Sequence, residues 1–408
     1  MKKVILVMDY IFIFMMPLLL YYNYNSSVIF LLFLLSIFRL YRTDIMLKMK
    51  FLLLIFDILV VLPTALNSNS YFIDIATQIC IYSILAVGLN IVVGFAGLLD
   101  LGYVAFYAAG AYVYAIFASN QANNFLPKFF VQFPISGEWF WVFLIFAMIV
   151  SAIVGIVLGL PVLRLKGDYL AIVTLGFGEI IRIILNNLDK PINITNGPRG
   201  ITPISPPRLF GIEFNSPINY YFITIFILII VIFFVNRVNY SRIGRSWAAI
   251  REDELAARSM GISLVKMKLM AFAYGASLAG MAGVVFSAKQ TFIEPTSFGF
   301  MESIGILAMV ILGGLGSISG AVTGATILVL LKLLILKDFS EFLGNIADSG
   351  LISIPTELDP AKYERLVFGI ILVLACIFRP KGILPGKRSI EYLKKMLPGD
   401  IQKINPNS

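Results

Sequence analysis

The sequence of 408 residues contains no histidine, only two cysteines and few charged side chains. Without histidine it lacks the commonest general base, and two cysteines alone count against a transition-metal site. Both cysteines, Cys80 and Cys376, lie in apolar runs and do not support a disulfide framework. Charged residues form 13% of the chain and hydrophobic residues 59%, whereas a soluble domain has about 25% charged residues. Such a chain cannot bury its apolar side chains in a soluble core, so we expect it to face lipid.

Nucleotide-binding and hydrolytic motifs are also missing. The string nearest to a Walker A loop is GILPGKRS at 382–389, but its glycines are one residue too close and Arg388 follows the lysine. No HExxH or GxSxG motif occurs in the sequence. We therefore predict that the chain is not an enzyme and holds no cofactor or metal. Any ATP that drives it would be hydrolysed on another chain.

Long apolar runs predict an all-α polytopic membrane protein with about 10–12 transmembrane or partial helices, because about 20 residues cross a bilayer as a helix. The first run follows Lys2 and Lys3, but the first alanine in the chain is Ala65, so no small-residue cleavage site follows. We expect a retained membrane segment rather than a signal peptide. The runs lie at 4–22, 27–40, 51–66, 71–93, 100–118, 139–163, 169–188, 218–236, 266–288, 300–315, 320–336 and 364–379.

The net charge of +9 has two possible interpretations. In a soluble protein it would suggest nucleic-acid binding, but in a membrane protein basic cytoplasmic loops follow from the positive-inside rule. We favour the second interpretation, with no nucleic-acid partner and both termini in the cytoplasm. The basic segments are 39–50, 164–166, 237–268 and the tail after 379, the acidic segment is 337–363, and the predicted outer loops are 119–138 and 189–217.

Glycine is concentrated in the predicted spans. Segments 92–110 and 310–324 are loosely alike, since each has a glycine-rich break followed by a helix rich in small residues. Paired broken helices of this kind can mark the two halves of a transporter and its substrate path. GxxxG spacings at 155–159 and 316–324 favour close helix packing, and they would also permit helix sliding.

Ionisable residues inside membrane spans are costly and often functional. Glu179 and Arg182 lie three residues apart in a helical run, so they can pair on one face. They form either a structural salt bridge or part of a gate or path. Asp100 lies in the first glycine-rich break, where a carboxylate and exposed amides could contact a polar solute.

The segment REDELAARSMG at 251–261 is strongly polar between two apolar runs. Ser246 can cap the start of a helix and Gly261 suits the left-handed residue that ends one. Glu254 and Arg258 have the favourable i,i+4 order, and Ser263 can cap the next helix. The pattern predicts a short surface helix over 246–260, which is either a solvated loop or a docking helix for a cytoplasmic motor.

Several motifs resemble one family. ELAARSMG at 254–261 resembles the EAA---G loop of ABC-importer permeases, the element that seats in the ATPase subunit, although Leu255 separates the glutamate from the two alanines. The strings NIVVGFAGLLDLGYVAFYAAGAY, LRLKGDYLAIVTLGFGEIIRI, TNGPRGI, RIGRSWAAIREDELAARSMGI and ILGGLGSISGAVTGA resemble the LivM-type permeases of branched-chain amino acid ABC importers. The resemblance is collinear from about residue 75 to 385 and is specific to the LivM/LivH family.

The resemblance implies a permease subunit of an ATP-driven importer in the cytoplasmic (inner) membrane, moving leucine, isoleucine and valine by alternating access. Urea or short amides are alternative cargoes within the family, and an ion-coupled secondary carrier is an alternative of another class. The implied partners are a LivH-like second permease, two cytoplasmic ATPase subunits, an extracytoplasmic binding protein and membrane lipid. The implied domains are a variable N-terminal extension at 1–70, a permease domain at 71–385 and a basic tail at 386–408.

Two groups of candidate residues follow from these motifs. The predicted ATPase-coupling residues are Trp247, Arg251, Glu254, Ala256, Ala257 and Gly261. The predicted substrate-pathway residues are Gly94, Gly97, Asp100, Tyr103, Thr174, Glu179, Gly313 and Gly314.

Overall fold

The structure is a computed structural model, and it describes residues 12–13, 15–22, 25–42, 53–66, 69–125, 133–162, 165, 167–348, 360–379 and 382–384. Several predicted segments lie outside the described residues, wholly or in part. These are the start of the first apolar run, Arg164 and Lys166, parts of the basic segment 39–50, of the loop 119–138 and of the acidic segment 337–363, and the basic tail at 386–408.

The described chain is almost entirely helical, which confirms the predicted all-α polytopic class. Two short strands, β1 (Arg208–Leu209) and β2 (Ile212–Glu213), form an antiparallel hairpin. The helices are α1 (Ser27–Arg42), α2 (Leu53–Leu66), α3 (Ser70–Asn90), α4 (Val104–Phe117), α5 (Phe140–Val162), α6 (Asp168–Asn187), α7 (Pro217–Tyr240), α8 (Arg242–Glu252), α9 (Glu254–Ser259), α10 (Leu264–Gln290), α11 (Phe300–Gly313), α12 (Ile318–Leu330), α13 (Leu336–Asp348) and α14 (Glu364–Phe378).

Six of the described helical segments are long and apolar enough to cross a membrane. Shorter apolar helices such as α4 and α11 fit the expectation of partial spans. The long segments are Ser70–Phe95, Gly137–Val162, Tyr169–Asn187, Pro217–Tyr240, Leu264–Gln290 and Ile318–Leu343.

Two local expectations were wrong. The acidic segment 337–363 was expected to be a loop, but its first part forms α13, where Leu336, Phe339, Phe342 and Leu343 recur at helical spacing among the acids. The helix expected over 246–260 is two helices instead, because Asp253 adopts an extended conformation and its side chain accepts hydrogen bonds from the first turn of α9.

The chain forms two compact units. The first comprises Met1–Ile81, Phe214–Leu228 and Val329–Glu364. Within it the rings of Phe30 and Phe72 pack 4.9 Å apart, and the Tyr221 hydroxyl donates to the carbonyl of Ile58 at 2.9 Å. These contacts join α1, α2, α3 and α7 within that unit.

The second unit comprises Tyr82–Glu213, Ile229–Leu328 and Arg365–Ser408. Its centre is the packing of α10 against α4 and α5. Small residues bring these helices close together: a Cβ added to Gly155 would lie 2.7 Å from that of Ala276, and one added to Gly110 would lie 2.0 Å from the carbonyl oxygen of Gly280. The GxxxG spacing at 155–159 therefore serves helix packing.

Candidate functional site

The first glycine-rich break separates α3 from α4. The last turn of α3 widens into a π-helical turn over Ile91–Phe95, and the chain then runs without helix to Tyr103. Three side chains hold the amide groups that this break leaves without helical partners. Leu101 donates to Thr174 Oγ1 at 3.0 Å, Gly102 to Asp100 Oδ1 at 2.9 Å and Val104 to Ser303 Oγ at 3.1 Å.

The second break lies between α11 and α12, and it packs against the first. Asn90 joins them: its Oδ1 accepts from the Gly316 amide at 2.9 Å and its Nδ2 donates to the Ser317 carbonyl at 3.2 Å. Asn90 is fully buried. Gly94 permits this approach, because a Cβ there would lie 1.9 Å from Asn90 Oδ1 and 2.6 Å from the Gly316 nitrogen. The weak likeness of the two segments thus corresponds to two breaks in direct contact.

Residues 382–384 close the second break from another side. The amides of Ile383 and Leu384 donate to the carbonyls of Leu312 and Gly313 at 3.0 and 2.9 Å. Gly314 adopts φ 124°, and a Cβ on Gly313 would lie 1.9 Å from the Gly320 carbonyl oxygen. The predicted pathway glycines of this break are therefore packed between backbone segments.

Asp100 and its neighbours form a small cavity. Asp100 is buried, and its Oδ2 has no hydrogen-bond partner among the residues that the structure describes. Gly102 and Thr174 line the cavity with Asp100, and its volume of about 10 Å³ is roughly that of the space needed for one water molecule. The apolar part of the wall consists of Phe106, Leu158, Phe177 and Phe272.

The other predicted pathway residues are placed differently. Tyr103 is buried and its hydroxyl donates to the Gly275 carbonyl at 3.0 Å, so it ties the break to α10. Glu179 pairs with Arg182 at 2.7 Å on α6, as the i,i+3 spacing predicted. Gly97 adopts φ 71°, and a Cβ there would lie 2.9 Å from Arg251 Cγ.

The polar surface loop of α8 and α9 is anchored by Trp247, by the Glu254–Lys268 pair and by Arg251. The Trp247 indole is fully buried and donates to the Met267 carbonyl at 2.8 Å. Glu254 pairs with Lys268 of α10 at 2.5 Å, where the lysine side chain is 6% exposed and the glutamate 27%. Ala257 is also buried. These three predicted coupling residues therefore face their own chain.

Arg251 is the third anchor and joins the loop to both breaks. Its guanidinium donates to the Gly94 carbonyl oxygen. A Cβ added to Gly316 would lie 3.1 Å from the same guanidinium. The loop thus contacts the point where Asn90 holds the two breaks together.

The caps of the loop were predicted in part. Gly261 adopts φ 81°, and the hydrogen bonds from Gly261 to Arg258 and from Ile262 to Ala257 confirm the expected left-handed helix end. The predicted start of the first helix was wrong. Ser241 caps it by accepting from the Gly244 amide, whereas Ser246 lies inside the helix and donates to the Arg242 carbonyl.

Two exposed residues of the loop were missed as candidates. Leu255 and Met260 are 71% and 83% exposed, beside the exposed Ala256. Large apolar side chains on a polar loop suggest a contact surface, and this signal was present in the sequence. Asn90 and Ser303 were also missed, because their hydrogen bonds to the breaks join residues far apart in the sequence.

The helices and breaks define a multi-pass helical membrane protein whose surface loop contacts two broken helices. Residues 71–376 match the family described as "Branched-chain amino acid transport system / permease component". The chain belongs to this family, and the predicted resemblance is confirmed.

Individual relatives agree with this assignment. The chain is 40% identical to the high-affinity branched-chain amino acid transport system permease protein LivM of Salmonella typhimurium, over 84% of this chain and 76% of the relative. It is 40% identical to the Escherichia coli LivM, over 79% and 72%. It is 30% identical to the Escherichia coli LivH permease, over 38% and 43%. No solved structure gives a significant match.

Proposed function

We propose that the chain is the permease subunit of an ATP-driven importer for leucine, isoleucine and valine, and that it moves them by alternating access. The observation that carries this proposal is the contact of Arg251 with Gly94. This contact connects a polar surface loop to both breaks of the helical bundle. A displacement of the loop would therefore be transmitted directly to the breaks. Membership of the branched-chain amino acid permease family supports the cargo.

Separate ATPase subunits would bind the outer surface of the loop on the cytoplasmic side. Leu255 and Met260 supply exposed apolar area there, while Trp247 and the Glu254–Lys268 pair hold the inner surface. A loop that is anchored on its inner surface and apolar on its outer surface suits a contact that transmits force. Among the predicted coupling residues, Arg251 would transmit motion rather than contact the ATPase.

Alternating access requires the breaks to repack. The cavity at Asp100 has room for about one water, so an amino acid does not fit in this conformation. The side chains of Asn90, Thr174, Ser303 and Asp100 make hydrogen bonds that hold the two breaks. Exchange of these bonds would let the flanking helices separate and expose Asp100, Tyr103 and Thr174 to the cargo.

The remaining partners follow from the same proposal. A LivH-like second permease would complete the membrane pore, and an extracytoplasmic binding protein would deliver the cargo to the loops opposite α8 and α9. The chain would lie in the cytoplasmic (inner) membrane, and both of its termini would face the cytoplasm. Residues 1–70 would be an added membrane segment outside the permease domain.

The test is uptake of radiolabelled leucine by proteoliposomes that contain this chain, its second permease, its ATPases and its binding protein. Uptake should require ATP inside the vesicles, persist when ionophores collapse ion gradients, and favour leucine, isoleucine and valine over urea. Uptake driven by an ion gradient without ATP would instead show a secondary carrier.

Matched variants test the docking surface. Leu255→Asp and Met260→Asp should reduce ATPase copurification, because each buries a charge in an apolar contact. Phe210→Asp is the control, because Phe210 is 94% exposed but lies on the β1–β2 hairpin. Undiminished copurification with both loop variants would contradict the proposed docking surface.

A further inference from the structure

Helix α6 carries a partly exposed ion pair in the middle of a membrane span. The helix has 20 residues and is about 30 Å long, which matches the hydrocarbon core of a bilayer. Glu179 follows Asp168 by 11 residues, so it lies about 16 Å along the helix. The side chains of Glu179 and Arg182 are 30% and 36% exposed. Charged side chains at this depth are costly against lipid.

Helix α5 shows what a lipid-facing surface looks like in the same unit. Its sequence contains no charged residue. Its exposed side chains, such as Ile145, Ile149 and Ile153, are all apolar along one face. Both helices are mostly exposed. Only 28% of the most apolar stretch of α5 and 22% of the most apolar stretch of α6 are buried. The two exposed surfaces therefore differ in chemistry and not in extent.

Gly176 marks the same face of α6. Ile172, Gly176, Glu179 and Ile183 recur at i, i+4, i+7 and i+11, so they lie on one side of the helix. A Cβ added to Gly176 would meet nothing within 4 Å, whereas one on Gly178 would lie 3.2 Å from Gly102. Glycine inside a helix costs about 0.5–1 kcal/mol relative to alanine. No contact within the described chain accounts for this cost at Gly176.

We propose that this face of α6 packs against a membrane helix of the second permease chain, and that the two helices approach most closely at Gly176. The identity of that partner rests on the proposed function. Ile172 and Ile183 are 64% and 53% exposed on either side of the ion pair. A face that is apolar at both ends and charged in the middle matches a protein helix better than lipid or a water column. The partner helix would place a polar or charged side chain opposite Glu179 and Arg182 and a small residue opposite Gly176.

Photo-crosslinking in the assembled membrane complex tests the contact. Benzoylphenylalanine placed at Ile172 or Ile183 should crosslink to the second permease chain. The same residue at Ile149 or Ile153 of α5 should crosslink to lipid. Crosslinks to lipid alone from the α6 positions would overturn the proposal. So would labelling of Ile172→Cys and Ile183→Cys by a hydrophilic thiol reagent, in a chain that also carries Cys376→Ser, without any crosslink to a protein. The face would then line water.

A bulky substitution gives a second, independent measurement. Gly176→Leu should lower recovery of the second permease with this chain at least about tenfold, which corresponds to about 1.4 kcal/mol. Gly369→Leu is the matched control, because a Cβ on Gly369 also meets nothing within 4 Å and the surrounding segment Leu366–Phe378 has no charged residue. Unchanged recovery with Gly176→Leu would contradict the proposed close approach.

The outcomes separate this inference from the proposed function. Uptake driven by ATP with no crosslink at α6 would refute the contact and leave the importer standing. A crosslink to the second permease in a complex that does not transport branched-chain amino acids would support the contact and refute the proposed cargo assignment.

Discussion

Arg251 of the surface helix α8 donates a hydrogen bond to the main-chain carbonyl oxygen of Gly94, 157 residues earlier in the chain. The carbonyl lies in the π-helical turn that ends α3. The same turn packs against Gly316 of the second break. One side chain therefore joins the polar loop to both irregular segments of the bundle, and its removal should affect coupling more than folding.

Arg251→Ala should uncouple ATP hydrolysis from transport. The ATPases should still bind, because Leu255 and Met260 remain, but leucine uptake per ATP should fall about tenfold, as expected for loss of a charge-assisted hydrogen bond. Uptake and hydrolysis measured on the same proteoliposomes give this ratio. Arg245→Ala, an exposed arginine of the same helix, is the control. An unchanged ratio in Arg251→Ala would remove this residue from the coupling path.

Glu254→Ala should destabilise the loop through Lys268. That lysine is almost completely buried, and removal of its partner leaves a charge without compensation. We expect a loss on the order of 2 kcal/mol, below the range for fully buried pairs because Glu254 is partly exposed. The midpoint of thermal unfolding in detergent measures it. Lys268→Met combined with Glu254→Ala should recover most of the loss, and a double variant as unstable as the single one would show that the pair is not the cause.

Gly261 should be required for its backbone conformation and not for a contact. Its φ is 81° and a Cβ there meets nothing within 4 Å. Gly261→Ala should therefore lower stability by about 1 kcal/mol, while Gly261→Asn should lose less, because asparagine tolerates this conformation. Thermal unfolding and ATPase copurification are the two readouts. Equal losses for both variants would point to a steric contact with a partner instead.

Asp100→Asn should separate the charge of Asp100 from its role in the turn. The amide oxygen can still accept from the Gly102 amide, so the fold should be retained. Oδ2, which has no partner within the described part of the chain, becomes an amide nitrogen. Leucine uptake should fall, because the proposed repacking of the breaks exposes this carboxylate to the cargo. Thermal unfolding controls for folding. Full uptake by a stable variant would restrict Asp100 to holding the break.

Much of this fold follows from local sequence. Apolar runs of about 20 residues set the positions of α3, α5, α6, α7 and α10, because a bilayer core requires a helix of that length. The end of the surface loop was likewise predictable, since only a residue tolerant of positive φ suits position 261. The Glu179–Arg182 pair follows from the geometry of one helix.

The tertiary structure decided which way the side chains point. The motif at 251–261 identified a coupling loop but could not show that Trp247, Glu254 and Ala257 face inward while Leu255 and Met260 face outward. In the sequence Asn90 is one amide side chain in an apolar run. Only the tertiary structure shows that it hydrogen-bonds the second break. Contacts between residues more than 150 positions apart depend on how the helices pack, and helical periodicity alone does not encode that packing.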